Sequence, residues 1–127
     1  MDVLTIGETI VEFIRKERDK SHFETGEYVG PFPSGAPAIF IDAASRLDLK
    51  SAIIGVVGED DFGRLLMKRL ADDRVDVTRM FIREGYTTGI AFVTYFSDGN
   101  RKFVFHLKHS AAARIKPEDV DKDFKNV

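Results

Sequence analysis

Ser51-Ala52-Ile53-Ile54-Gly55-Val56-Val57-Gly58-Glu59-Asp60-Asp61-Phe62-Gly63-Arg64-Leu65-Leu66-Met67-Lys68-Arg69-Leu70 changes its hydrophobic period in mid-course. Ser51 to Val57 is a nearly continuous apolar run bounded by turn residues, the pattern of a strand buried on both faces. From Phe62 the apolar residues recur at Phe62, Leu65, Leu66 and Leu70, one stripe of a helix, and Asp60 or Asp61 can cap it. A buried strand leading directly into an amphipathic helix is the building unit of α/β proteins.

Upstream of that unit, Val3-Leu4-Thr5-Ile6 is a short apolar strand ending at Gly7-Glu8, and Thr9 to Arg15 reads as a second strand. Arg15 to Lys20 mixes both charge signs, as a solvated turn does. A Gly/Pro-punctuated stretch from Gly26 to Pro37 follows. Ala38 to Leu47 then reads as a mostly buried helix, with Pro37 in its first turn, where no N–H is needed. Downstream, Asp98-Gly99 between two strand-like runs predicts a two-residue type I′ hairpin turn. That turn pairs Thr94 with Phe103, Phe92 with Phe105, Ala91 with His106 and Ile90 with Leu107. It places Ile90, Phe92, Phe103, Phe105 and Leu107 on one face, with Ala91, Val93, Tyr95 and Val104 on the other. A ribbon that is apolar on both faces needs a cover on each. Ile115 to Val120 reads as the start of a helix, and there are no internal repeats or low-complexity tracts.

Composition narrows the function classes. The chain has 127 residues, 43% of them hydrophobic, enough for one core. A formal net charge of -2 and a pI near 5.9 give no basic footprint for nucleic acid or anionic membrane. Without cysteine there is neither a disulfide framework nor a thiolate metal site. No basic segment precedes an apolar run at Met1-Asp2-Val3, and no apolar stretch reaches spanning length. The expectation is a cytoplasmic protein with no nucleic-acid and no membrane partner.

Three ordered motifs, Gly7-Glu8-Thr9-Ile10-Val11-Glu12-Phe13, Ser34-Gly35-Ala36-Pro37-Ala38 and Val57-Gly58-Glu59-Asp60-Asp61-Phe62-Gly63, resemble the opening of the ribokinase-type (PfkB-like) carbohydrate kinases. Thr88-Gly89-Ile90-Ala91-Phe92, Ser110-Ala111 and Pro117-Glu118-Asp119 continue the match across the chain, nearest the fructokinase and 2-keto-3-deoxygluconate kinase branch. The resemblance implies a partial three-layer ribokinase-like α/β sandwich. A small β-sheet lid, from strands near residues 9–15 and 87–108, covers the sugar and joins a homodimer. The activity it implies is transfer of the γ-phosphoryl of ATP, with Mg²⁺, to a sugar or sugar-acid hydroxyl. The family's base, an Asp in a Gly-Ala-Gly-Asp stretch, does not occur in these residues, nor does any other nucleotide fingerprint. The chain is therefore expected to supply the sugar-binding part, with no catalytic residue, no metal ligand and no activity of its own.

The residues expected to line the sugar are Glu12, Ser34, Gly35, Ala36, Ile39, Ala91, Phe105, His106 and Leu107. Glu12 shares a strand face with Ile10 and Ile14, and a carboxylate on an apolar face must find donors, which sugar hydroxyls are. The competing reading is an edge-strand charge that deters aggregation. Gly35, ahead of a helix, leaves backbone amides open to a ligand. Gly58 and Gly63 read as structural, and Glu59, Asp60 and Asp61 as capping charges rather than a metal cluster. Two positions depart from the family: Ile39 stands where an Asn usually binds a hydroxyl, and Leu107 where an Arg is common in this branch. They favour an alternative, a non-catalytic sugar-sensing or dimerisation module on the same half-fold.

Overall fold

The computed structural model describes residues 1–120. Its elements run β1 (Val3–Ile6), β2 (Ile10–Arg15), β3 (Tyr28–Ser34), α1 (Ala36–Arg46), β4 (Ser51–Gly58), α2 (Asp61–Asp72), β5 (Asp76–Arg83), β6 (Ile90–Tyr95) and β7 (Arg101–His106). Two 3₁₀ turns, Ala111–Ala113 and Pro117–Asp119, follow. The strands form two sheets. One is parallel, in the order β1-β4-β5; the other is mixed, in the order β3-β2-β6-β7.

The central strand of the parallel sheet is β4, and every one of its residues is buried, as its unbroken apolar run predicts. Helix α1 packs on β1 and β4, and α2 on β5. Ile41 of α1 and Leu66 and Leu70 of α2 meet Ile53, Val57, Val75 and Met80 in the main core, which Val11 of the mixed sheet also enters. Asp60 caps α2, accepting from the Gly63 amide at 2.8 Å. Strand β5 has no clean alternation, because Asp76, Arg79 and Arg83 interrupt it, and its identity comes from pairing with β4.

In the mixed sheet β2 is flanked by β3 (antiparallel) and β6 (parallel). Strand β3 occupies the Gly/Pro-rich stretch, with Pro31 and Pro33 inside it. An outer strand tolerates proline because only one of its sides must be hydrogen-bonded. Arg15 does not belong to the solvated turn. It is buried, stacks on Tyr28 and donates through Nη1 to Glu24 O at 2.6 Å and through Nη2 to Thr25 O at 2.9 Å.

The hairpin register differs by one residue from the expected one: Ile90 pairs with His106, Ala91 with Phe105, Phe92 with Val104 and Val93 with Phe103. Phe96 and Asn100 close the ladder at 2.8 Å, and Gly99 N donates to Phe96 O at 3.0 Å with Gly99 at φ 87°. The loop therefore has three residues, Ser97, Asp98 and Gly99, with the glycine in the left-handed region that ends this turn type. Asp19 holds the extra residue, accepting from Ser97 N at 2.8 Å and also from its hydroxyl. The slip exchanges the faces. Ile90, Phe92, Val104 and His106 now lie on one side, and Ala91, Val93, Tyr95, Phe103 and Phe105 on the other.

The expected helix at 115–120 is a single 3₁₀ turn, Pro117–Asp119, and Val120 is extended. Asp119 closes it by pairing with Arg83 and by accepting from Lys116 N at 2.8 Å. The continuation from 121 onward lies outside the described residues.

Candidate functional site

Strand registers across the mixed sheet bring Phe32, Glu12, Ala91 and Phe105 into one transverse row, since Phe32 pairs with Glu12, Glu12 with Ala91, and Ala91 with Phe105. Paired residues share a face, so this row is one surface of the sheet. Phe32 and Phe105 are 41% and 56% exposed, and Glu12 is half-buried between their strands. Ala91 is buried beneath a cluster with Ile10, Ala112, Phe103 and Leu107, so it supports the row instead of offering surface. Phe105 is held by stacking on Phe103, with ring centroids 4.9 Å apart.

Ser34 lies two residues along β3 from Phe32, and its hydroxyl donates to Glu12 Oε2 at 3.0 Å. One bond leaves most of the carboxylate's lone pairs free. Gly35 follows as the N-cap of α1 at φ 99°, and a Cβ there would stand 2.7 Å from Glu8 O. The glycine is thus required by the fold's own backbone, a different reason from leaving room for a ligand. Ala36 and Ile39 are exposed on the first turns of α1, Ile39 at 56%.

The structure separates His106 from the other expected site residues. His106 pairs with Ile90 and meets the edge of the Phe92 ring at 5.8 Å, so it points to the face opposite Glu12. A two-residue turn would instead pair it with Ala91, which faces the strand of Glu12 in register with Glu12. Leu107 is half-buried against Ile10 and Ala112, in the cluster that also holds Ala91 of the row. Phe32 had no signal of its own, because β3 itself was hidden by its prolines.

Asp60 ties this sheet to the α/β body. Its Oδ1 accepts from Gly63 N and, at 2.6 Å, from the Thr88 hydroxyl, while Oδ2 accepts from Thr88 N at 2.8 Å. Thr88 is itself buried, and its hydroxyl accepts from Gly58 N at 3.0 Å. A Cβ on Gly58 would lie 2.5 Å from Thr88 N, so the close approach admits only glycine. One carboxylate therefore fixes the start of α2 and the segment that launches β6. Burial by itself would raise the Asp60 pKa, but the bonds from the Thr88 hydroxyl, the Thr88 amide and the Gly63 amide outweigh it and hold the carboxyl below its usual range.

A Cβ on Gly58 or Gly63 would meet protein atoms, and no group of three His, Cys, Asp or Glu is placed to hold a metal ion among the described residues. Glu59, Asp60 and Asp61 act at the helix start, not as ligands converging on one point.

An α/β body thus carries a mixed sheet that presents a carboxylate beside a hydroxyl, flanked by exposed phenylalanines. The chain belongs to the pfkB family of carbohydrate kinases, whose model matches residues 1–127. It is 34% identical over 119 residues to fructokinase-1 of Zea mays, covering 94% of this chain and 36% of that protein. It is 32% identical over 121 residues to a fructokinase of Solanum tuberosum, covering 95% and 38%. Among solved structures, an E. coli protein described as a "putative Ribokinase II in complex with ATP and Mg+2" superposes with a TM-score of 0.92 at 40% identity, over 98% of this chain and 40% of that one. An uncharacterized sugar kinase, PH1459 of Pyrococcus horikoshii, in complex with ATP, gives 0.87 at 29% identity over 95% and 39%. The fold is ribokinase-like, and the chain spans a little over a third of the length of these relatives.

Proposed function

We propose that these residues form the sugar-binding and lid part of an ATP-dependent sugar kinase. The observation that carries this reading is the Glu12 carboxylate, bonded to Ser34 at 3.0 Å, in a row between exposed Phe32 and Phe105. Glu12 accepts from sugar hydroxyls, the Ser34 hydroxyl orients the carboxylate, and the phenylalanine faces take the apolar C–H side of the ring. The row holds a carboxylate and no cation, which favours a neutral sugar over a sugar acid. The fructokinase relatives point the same way. Positioning of the hydroxyl is the work such residues do for phosphoryl transfer, and ATP with Mg²⁺ supplies the phosphoryl group and its charge neutralisation.

Residues 1–127 alone give no turnover on this reading, since their sequence has neither a nucleotide fingerprint nor the Gly-Ala-Gly-Asp stretch that carries the family's base. The edge of β7 and the exposed side chains Val104 and Phe105 offer a lid surface for a second subunit, with sedimentation as the check. In a protein that joins these residues to an ATP site, sugar-dependent ATP consumption should appear with a neutral hexose. Glu12→Ala should lower its kcat/KM by about 100-fold, roughly the loss of one strong charge-assisted hydrogen bond. Unchanged kinetics over a panel of ketoses, aldoses and sugar acids would remove Glu12 from the site. Ile39 and Leu107, apolar where hydroxyl and carboxylate binders are usual in the family, favour the second reading, a sugar-sensing or dimerisation module. Saturable sugar binding with no phosphorylation by that longer protein would select it.

A further inference from the structure

Beside the Glu12 row the chain exposes an apolar residue that its own packing does not use. Ile39, on the first turn of α1, keeps 56% of its surface exposed. Its amide donates to Gly35 O at 2.8 Å, which sets it one helical turn past the residue that follows Ser34. Ser34 and Ile39 line one recess of about 300 Å³, where Pro33, Ala38, Leu66 and Leu70 supply further apolar wall. Ser34 is also the residue whose hydroxyl donates to Glu12 Oε2 at 3.0 Å. A single exposed isoleucine is ordinary on a protein surface. This one adjoins an apolar wall and, through Ser34, the carboxylate that receives a hydroxyl.

The charged groups on the helical wall of the recess are engaged with one another. Asp42 meets Arg46 at 3.9 Å and also the Asp73 carboxyl, and Arg69 donates Nε to Asp73 Oδ2 at 2.8 Å. Glu12 and Ser34 are then the side chains that offer a sugar hydrogen bonds, while Ile39, Phe32 and Phe105 offer it C–H contact. A sugar hydroxyl turned towards Ile39 gives up water and gains no partner. A methyl or methylene group in the same place loses nothing and buries apolar area. An apolar wall discriminates only weakly against an added hydroxyl, so a fully hydroxylated sugar still binds, less tightly.

We propose that Ile39 is a specificity-determining residue of the sugar site, and that the substrate it selects is a neutral deoxy sugar with C–H in place of C–OH where it meets Ile39. The inference rests on the reading of Glu12 as the hydroxyl acceptor and adds to it the group that lies next to that hydroxyl. Glu12 fixes the ring by one hydroxyl, the phenylalanines take its C–H side, and Ile39 takes the deoxygenated carbon. Ile39 has this role whether the longer protein phosphorylates the sugar or only holds it.

The test is a titration of the chain with fructose, 1-deoxyfructose and 6-deoxyfructose, followed by amide chemical shifts at Ser34, Gly35 and Ile39. It is run on the parent and on Ile39→Val, Ile39→Thr and Glu12→Gln. One of the two deoxy sugars should bind about tenfold more tightly than fructose, from one added apolar contact and one hydroxyl that need not lose its water. Ile39→Val stays apolar and should keep that preference. Ile39→Thr has the shape of valine with a hydroxyl, and should bring the sugars to within about twofold of one another. The position is exposed, so neither variant disturbs the core. Deoxy sugars that bind no more tightly than fructose, while Glu12→Gln weakens every sugar, would overturn this inference alone. A preference that survives Ile39→Thr would place its cause elsewhere and overturn it as well. Absent binding of all three sugars, or binding that ignores Glu12→Gln, would overturn the reading of Glu12 and this inference with it.

Discussion

The two faces of the mixed sheet are built from similar amounts of aromatic side chain, but the chain covers one of them more fully, leaving it open at Val104 and His106 of β7. On the inner face Phe13 stacks on Phe92 at 5.5 Å and meets Phe62 of α2 edge-on at 5.7 Å, and Tyr28 packs its edge against Phe92. Val11 is fully buried there. On the outer face Phe32 and Phe105 keep much of their surface, and a carboxylate lies between them. Packing the inner face contributes stability by removing apolar area from water. The outer face has given up that gain at Glu12, where an apolar side chain would pack better. A position that sacrifices packing for a hydrogen-bonding group is where function is expected.

This contrast can be broken most forcefully by truncating one ring on each face. Phe13→Ala should cost about 3 kcal/mol, the transfer and cavity loss of a packed phenylalanine. Phe105→Ala should change stability by no more than about 0.5 kcal/mol, as an exposed substitution does. Urea unfolding of both variants checks the pair. Equal losses would mean that the outer face is also core, and would remove its claim to be a binding surface.

A smaller effect sharpens the link that holds the two faces in place. Asp60 has a folded pKa below its ordinary value, so its contribution to stability is present above the unfolded value of about 3.9 and disappears as pH falls through the folded one. Asp60→Asn removes that charge. It should cost about 1–2 kcal/mol at pH 7, from weakened bonds to Thr88 and Gly63, and the difference from the parent chain should shrink as pH approaches 2. Stability curves from pH 2 to 7 measure this. A pH-independent difference would show that Asp60 acts by shape and not by charge.

The body of the fold was legible from the switch of period between Val57 and Phe62, because a strand buried on both faces and an amphipathic helix leave unmistakable patterns. The mixed sheet was legible only in part. Strand β3 was concealed by Pro31 and Pro33, which are tolerated because β3 pairs on a single side. The hairpin was recognised at Asp98-Gly99, yet its register was off by one, since the same dipeptide serves a two-residue turn and the end of a three-residue loop. The deciding contact is Asp19 on Ser97, between residues far apart in sequence, and local pattern carries no trace of it. That single residue pairs His106 with Ile90 instead of Ala91, on the face opposite Glu12. The face on which Glu12 lies needed only the strand parity it shares with Ile10 and Ile14, whereas placing Phe32 beside it needed β3.

The central claim is that the Glu12 row holds a sugar by hydrogen bonds to the carboxylate. Its most direct test is a fructose titration of the chain, followed residue by residue through amide chemical shifts, in parallel with Glu12→Gln. The account predicts saturable shifts at Phe32, Ser34 and Phe105 with none along β4, and affinity about tenfold weaker in the Gln variant while its unfolding midpoint stays within error. Fructose that leaves the row unperturbed, or binds Glu12→Gln as well as the parent, would contradict it.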